Sequence, residues 1–211
     1  RAPNGAVHLG VPALFGSGLV MTIPREAILA NVDEKDENGD GISGRTNIDS
    51  IYIGRLGSKA MGAGHTSIMR VEMYVNLGLS IELPTPEQVA ALPFPDQITG
   101  EGLFKDDPSD GVKDPEVSAA DYLDLVAWAQ LLAVPAFDPL DDTTALGRTR
   151  FHEAGCAMCH VPRMPSPYGP LPVYTDFLLH DMGPGLDDGY NMDYSKGSEF
   201  KTLALWGANG A

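Results

Sequence analysis

Cysteine is scarce in this chain. The 211 residues contain two, and both fall in one pentapeptide, so no disulfide framework holds the fold. Long apolar runs are also missing. The best stretch, Tyr122 to Ala133, is broken by Asp124 and Gln130, and a membrane helix needs about 18 uninterrupted apolar residues. Membrane insertion is therefore not expected. Positive charge is short as well: 14 Lys and Arg face 29 Asp and Glu, for a formal charge of −15. Such a surface repels nucleic acid and anionic lipid and favours a redox partner with a basic surface, although acidity also serves plain solubility. No internal repeat or low-complexity segment is visible. What the chain does have is 43% hydrophobic residues, enough for a real core, with 24 Gly and 17 Pro that imply much irregular loop.

The two cysteines stand in Cys156-Ala157-Met158-Cys159-His160. Cys-x-x-Cys-His is the pattern of covalent haem attachment in c-type cytochromes. Each thiol adds across one haem vinyl group, and the adjoining histidine falls under the iron as an axial ligand. Zinc would need two further ligands brought from far away. A thioredoxin-like Cys-x-x-Cys opens a helix after a strand, whereas this one closes a helical stretch and runs into Val161-Pro162-Arg163-Met164-Pro165. A disulfide across two residues would be strained. The expectation is one covalent haem c with His160 as proximal ligand. Such haem is attached outside the cytoplasm, so a periplasmic or extracellular protein is expected. A start at Arg1 agrees with a processed secreted chain or with a fragment.

Periodicity predicts a mainly α, loop-rich protein with little β structure. Short helices are expected at 24–30 and 86–92, and a longer one from His65 to Gly78 with Thr66 or Ser67 as N-cap. Ser118 and Asp121 open the clearest helix, which Pro135 ends. The next is expected after Asp142-Thr143-Thr144 and leads into the haem motif. On it Gly147 would let a second helix cross closely while Phe151 fills the junction. After residue 160 neither helix nor strand is evident. Residues 1–115 are read as a loop-rich N-terminal region and 116–211 as a cytochrome c-like haem domain.

Asp36-Glu37-Asn38-Gly39-Asp40-Gly41-Ile42 matches the first half of a calcium loop. Asp36, Asn38 and Asp40 offer side-chain oxygens, Gly41 gives the sharp turn and Ile42 offers a carbonyl. Asn47 stands where an EF-hand has glutamate, and Asp33 or Asp49 could complete the set. The bland alternative is a solvated acidic turn.

Several segments, in order, resemble the di-haem oxidoreductase family, related to bacterial cytochrome c peroxidases and MauG-type enzymes. They are Pro12 to Leu19, Asp40 to Arg45, Gly155 to Pro162, Leu178-Leu179-His180-Asp181-Met182-Gly183-Pro184 and Leu205-Trp206-Gly207. The family carries an additional upstream haem motif and continues into a His-Asp-Gly segment; this sequence shows neither. It also has Lys201 and Ala204 where the family tends to have Arg and Pro. The resemblance is therefore to the middle and second-haem portion. Peroxidase chemistry in that family divides labour between two haems, which moves the expectation for one haem toward electron transfer.

The distal ligand decides between electron transfer and catalysis. His180 and Met182 are the candidates; the alternative for His180 is a hydrogen bond to a propionate or a backbone carbonyl. His65 and His152 read as structural and surface residues. A neighbouring subunit could also supply a ligand, such as His8, which would couple ligation to homo-oligomer assembly. Expected haem contacts are Phe151, Val161, Pro162, Met164, Tyr174, Leu179 and Trp206, some of which will be ordinary core. The functions in contention are an electron-transfer cytochrome, a peroxidase-type oxidoreductase, and a structural subunit of an extracellular cytochrome assembly.

Overall fold

In a computed structural model, residues 12–49, 52–97, 106, 110–137, 141–191 and 194–207 are described. His8 and Met192 lie outside them. Six α-helices occur among these residues: α1 Ser17–Met21, α2 Arg25–Leu29, α3 His65–Leu77, α4 Pro86–Ala90, α5 Ala119–Leu131 and α6 Asp142–Glu153. Two short antiparallel ladders accompany them. Strand β1 (Ile48–Asp49) pairs with β2 (Tyr52–Ile53), and β3 (Leu179–Asp181) with β4 (Glu199–Lys201). The rest is loop. No helix among the described residues is long and apolar enough to cross a membrane.

Local signals explain most helix boundaries. Ser118 Oγ accepts from Asp121 N to open α5, and Thr85 forms a reciprocal capping box with Gln88 at α4. Helix α6 begins at Asp142, earlier than the threonines suggest, because Asp141 and Thr144 form the capping box. Helix α3 departs further from expectation. Its N-cap is Gly64, which has no side chain to give. Asp96, far along the chain, accepts from the backbone N–H groups of His65 and Thr66 instead. Thr66 and Ser67 turn their hydroxyls to the Gln97 carbonyl.

The main core joins the two ends of the chain. Val20, Ile23, Ile28 and Ile53 pack with Met164, Leu171, Val173, Phe177, Leu178 and Trp206. A smaller cluster of Ile81, Tyr122 and Val126 seats α5 against α3. The main core thus draws on sequence from both sides of residue 115. Strands β3 and β4 are a correction to the expectation of no strand after residue 160. Their eighteen-residue separation hides a pairing that the register Leu179 with Lys201 and Asp181 with Glu199 makes plain.

Helix α1 crosses α5 at Gly18, where an added Cβ would lie 2.2 Å from the Gln130 carbonyl oxygen. Backbone cannot yield cheaply there. Gly18→Ala is expected to lose about 2 kcal/mol of stability, measurable as a lower urea midpoint at unchanged slope. An unchanged midpoint would mean the two helices can separate freely. Gly147 behaves differently: an added Cβ meets nothing within 4 Å. Among the described residues no helix packs on Gly147, so the close crossing expected of it is not seen there.

Candidate functional site

Helix α6 ends at Glu153, and Gly155, with a positive φ of 77°, reverses the chain. A 3-10 turn, Cys156–Met158, then presents the pentapeptide. Cys156 is exposed, Cys159 half-buried, and both thiols are free. Burial pushes the Cys159 thiol pKa up, with Asp176 and Asp40 adding to the effect.

His160 is held by its other face. Its Nδ1 lies 2.8 Å from the Tyr174 carbonyl oxygen. A carbonyl only accepts, so Nδ1 donates, and in the neutral ring Nε2 keeps its lone pair. That is the arrangement of an imidazole set up to ligate a metal through Nε2. Tyr174 adopts φ 52°, an uncommon conformation for a side-chain-bearing residue. Its ring meets Phe151 edge-on at 5.5 Å, and Phe151 in turn stands 6.4 Å from the His160 ring. Beside them opens a cleft of about 360 Å³ lined by Gly147, Arg148, Phe151, His152, Pro162, Arg163 and Tyr174. No residue of α6 is buried, so this face of the helix is available to a prosthetic group.

The chemistry of this donor set fits haem: two free thiols and an imidazole held through Nδ1 within one pentapeptide. A profile of the family described as "Di-haem oxidoreductase, putative peroxidase" matches residues 5–210. The chain belongs to the di-haem oxidoreductase family. Haem as cofactor and a haem-based redox function come with that membership. Neither the curated proteins nor the solved structures contain a match.

Two segments that carry the di-haem oxidoreductase resemblance grip each other beside the motif. Arg45 and Leu179 exchange backbone hydrogen bonds. His180 Nδ1 meets the Ser43 carbonyl at 2.8 Å, and its Nε2 meets Asp176 Oδ2 at 2.9 Å. Burial pulls the His180 pKa down, but Asp176 and the Ser43 carbonyl outweigh it and the net shift is upward. Both ring nitrogens are thus engaged by hydrogen-bond partners. Met182 is half exposed.

The expected haem contacts divide into two groups. Phe151, Pro162 and Tyr174 line the cleft. Met164, Leu179 and Trp206 are buried, and Val161 packs against the main core. The cleft also brings in Arg148, Arg163 and His152, of which the sequence singled out only His152, as a surface residue. The two arginines are polar and lie on either side of the motif, so no apolar pattern could pick them out.

The acidic loop is closed at its neck by paired backbone bonds between Asp33 and Gly44. Within it Asp36 accepts from Gly41 N, Asn38 from Asp40 N, and Asp40 from Ile42 N. Asn47 lies beyond the neck, with its side-chain amide donating to the Lys59 carbonyl. Among the described residues no group of three or more His, Cys, Asp or Glu is placed to hold a metal ion.

Sequence reasoning missed a buried polar bracket. Ser17 Oγ lies 2.8 Å from His65 Nε2, and His65 Nδ1 lies 3.6 Å from Asp96 Oδ2. Although the residue types are those of a hydrolytic triad, Ser17 and His65 are both buried. The bracket ties α1 to the start of α3, in keeping with a structural His65.

Lys201 is buried beneath β4, its ammonium 5.7 Å from the Phe177 ring centre. Burial pushes its pKa down from 10.5 to about 8, against the attraction of Asp176. Because the folded pKa is below the unfolded one, charging Lys201 opposes folding. The penalty is complete below pH 8 and fades as pH rises from 8 toward 10.5. The shift corresponds to about 3 kcal/mol. Lys201→Met is expected to raise stability by about 2 kcal/mol at pH 7, after the lost cation–π contact is counted, and to flatten the pH dependence above 8. Denaturant melts at pH 7 and pH 10 check both statements; a destabilised variant at pH 7 would contradict the burial cost.

Proposed function

We propose that the protein is a c-type cytochrome that carries one covalent haem on Cys156 and Cys159 and transfers electrons outside the cytoplasm. The observation that carries this reading is the His160 geometry, with Nδ1 fixed on the Tyr174 carbonyl and Nε2 left for iron. When bound, the haem supplies a one-electron ferric/ferrous couple. The chain's own residues do the rest. Cys156 and Cys159 anchor the ring, the Tyr174 carbonyl orients the imidazole and raises its basicity, and Phe151, Pro162 and Tyr174 keep water from one side of the cleft. The residues from about 116 onward form the cytochrome c-like part in this reading. Met182 and His180 are the distal candidates; the engagement of both His180 nitrogens favours Met182, and a partner subunit is the alternative source.

The test is expression in a host with c-type haem maturation, followed by haem staining after denaturation. Wild type is expected to retain its stain, and Cys156→Ser/Cys159→Ser to lose it entirely. A wild-type chain without covalent haem overturns the proposal. The second reading, a peroxidase-type oxidoreductase, is favoured by the family description. A low-spin spectrum unmoved by cyanide or peroxide supports electron transfer, whereas turnover of peroxide supports the second reading. Met182→Ala should open the iron to cyanide if Met182 ligates it.

Three further parts of the proposal stand on the sequence. The charge of −15 favours a basic redox partner, assembly into homo-oligomers or a larger structure is tested by sizing at several concentrations, and calcium at Asp36, Asn38, Asp40 and the Ile42 carbonyl is tested by titrating Ca2+ into wild type and Asp40→Ala.

A further inference from the structure

The belt from Val173 to Leu178 holds two aromatic residues in the left-handed backbone region, Tyr174 at φ 52° and Phe177 at φ 63°. Both conformations are strained, and they persist only where the surroundings hold them. Between the two lies Thr175, fully buried. Its hydroxyl donates to the Thr202 carbonyl at 2.5 Å and accepts from Phe177 N at 3.0 Å. One of these bonds closes the belt on itself, and the other ties it to the chain just after β4. The Thr202 N–H completes the tie by donating to the Leu178 carbonyl at 3.1 Å. The peptide unit that joins Tyr174 to Thr175 is also gripped by the pentapeptide and its neighbour. Its carbonyl accepts from His160 Nδ1 at 2.8 Å, and its N–H donates to the Val161 carbonyl at 3.1 Å. A peptide unit is planar, so a rotation that loosens one contact loosens the other.

We propose that Thr175 is the positioning residue of the His160 imidazole. Its hydroxyl holds the belt in the strained form that turns the Tyr174 carbonyl to Nδ1. In the neutral ring this places the proton on Nδ1 and the lone pair on Nε2. The consequence for iron rests on the covalent-haem reading given above. A carbonyl that draws on the Nδ1 proton makes the imidazole a stronger donor, and a stronger axial donor favours ferric over ferrous iron. Valine at 175 keeps the β-branched shape but takes away the partner of the Phe177 N–H and of the Thr202 carbonyl. Without that anchor the left-handed residues relax and the peptide plane turns away from His160. Thr175 touches neither thiol nor ring, so its action on the site passes through the Tyr174 carbonyl alone.

The test compares wild type with Thr175→Val, the hydroxyl-keeping Thr175→Ser, and Gly18→Ala as a control that loosens the fold elsewhere. Circular dichroism melts establish that each variant is folded. With haem attached and the ambient potential fixed, Thr175→Val is expected to shift the ferrous/ferric ratio about tenfold toward ferrous, equivalent to about 59 mV for one electron. Thr175→Ser should recover most of that shift, and Gly18→Ala should show little. A Thr175→Val potential that moves no further than that of Gly18→Ala overturns the proposal, and so does a shift that serine fails to recover. A wild type without covalent haem overturns the cytochrome reading, and 15N NMR of the His160 ring then decides this one. At about pH 8.5, above the ordinary histidine range, wild type should hold the Nδ1–H form and Thr175→Val a mixture of both tautomers. The same tautomer in both chains overturns the proposal. Should Thr175→Val fail to fold, hydrogen exchange on wild type takes its place. The His160 Nδ1–H and the Thr175 N–H are expected to exchange through one shared opening. A His160 proton that exchanges while the Thr175 amide stays protected overturns the proposal.

Discussion

Asp96→Ala is expected to lose about 4 kcal/mol of folding stability, enough to leave much of the protein unfolded if its total lies at the low end of the usual range. The Asp96 side chain is fully buried. Its oxygens accept from His65 N at 3.0 Å, Thr66 N at 3.3 Å, Thr66 Oγ1 at 2.9 Å, Gln97 N at 2.7 Å and Gln130 Nε2 at 2.9 Å. One carboxylate thereby caps α3, fixes the loop after residue 94 and reaches across to α5. Alanine would strand the His65, Thr66 and Gln97 N–H groups and one Gln130 amide hydrogen away from water, while the Thr66 hydroxyl keeps the Gln97 carbonyl, and each stranded donor costs about 1–3 kcal/mol when counted alone. Shared relaxation keeps the total below the sum. Asp96→Asn keeps the shape and one acceptor oxygen, so about half the loss is expected. Urea unfolding of both variants measures this. An Asp96→Ala protein within 1 kcal/mol of wild type would show that water reaches the site and satisfies the donors.

His160→Gly is expected to remove essentially all of the low-spin haem signal while leaving the haem-stained band in place. In the proposed cytochrome the thioether anchors would belong to Cys156 and Cys159, and the strong-field nitrogen to His160. Added free imidazole should enter the space left behind and restore a low-spin spectrum. The tautomer contact with the Tyr174 carbonyl is absent in the rescued variant, so the restored ligand is expected to bind less basically and to give a different potential. A spectrum unaffected by His160→Gly would assign the proximal position to another residue.

How much of this was legible in advance follows a physical line. The helix caps at Thr85, Ser118 and Asp141 involve partners three residues away, and a local rule finds such pairs, even where α6 starts a few residues early. The α3 cap was not legible, because Gly64 contributes nothing and Asp96 arrives through the tertiary fold. Strands β3 and β4 were hidden for the same reason: three residues with no long alternation become a ladder only when their partners are in place. At the candidate site, Phe151, Pro162 and Tyr174 could be picked as apolar neighbours of the motif. Sequence proximity could not separate them from Met164, Leu179 and Trp206, which the core absorbs.

The sequence by itself determined the chemistry on offer and the family. Two cysteines and a histidine within five residues put two thiols and an imidazole side by side without tertiary information, and the segments around them carry the di-haem oxidoreductase resemblance that residues 5–210 bear out. Only the tertiary structure decided which lone pairs and charges are available. It turned His160 Nδ1 to a carbonyl fourteen residues on and occupied both nitrogens of His180. It also brought Arg148 and Arg163 to one cleft. The reason is that bond-forming groups are a property of residue type, whereas protonation, engagement and charge pairing depend on neighbours that folding alone assembles.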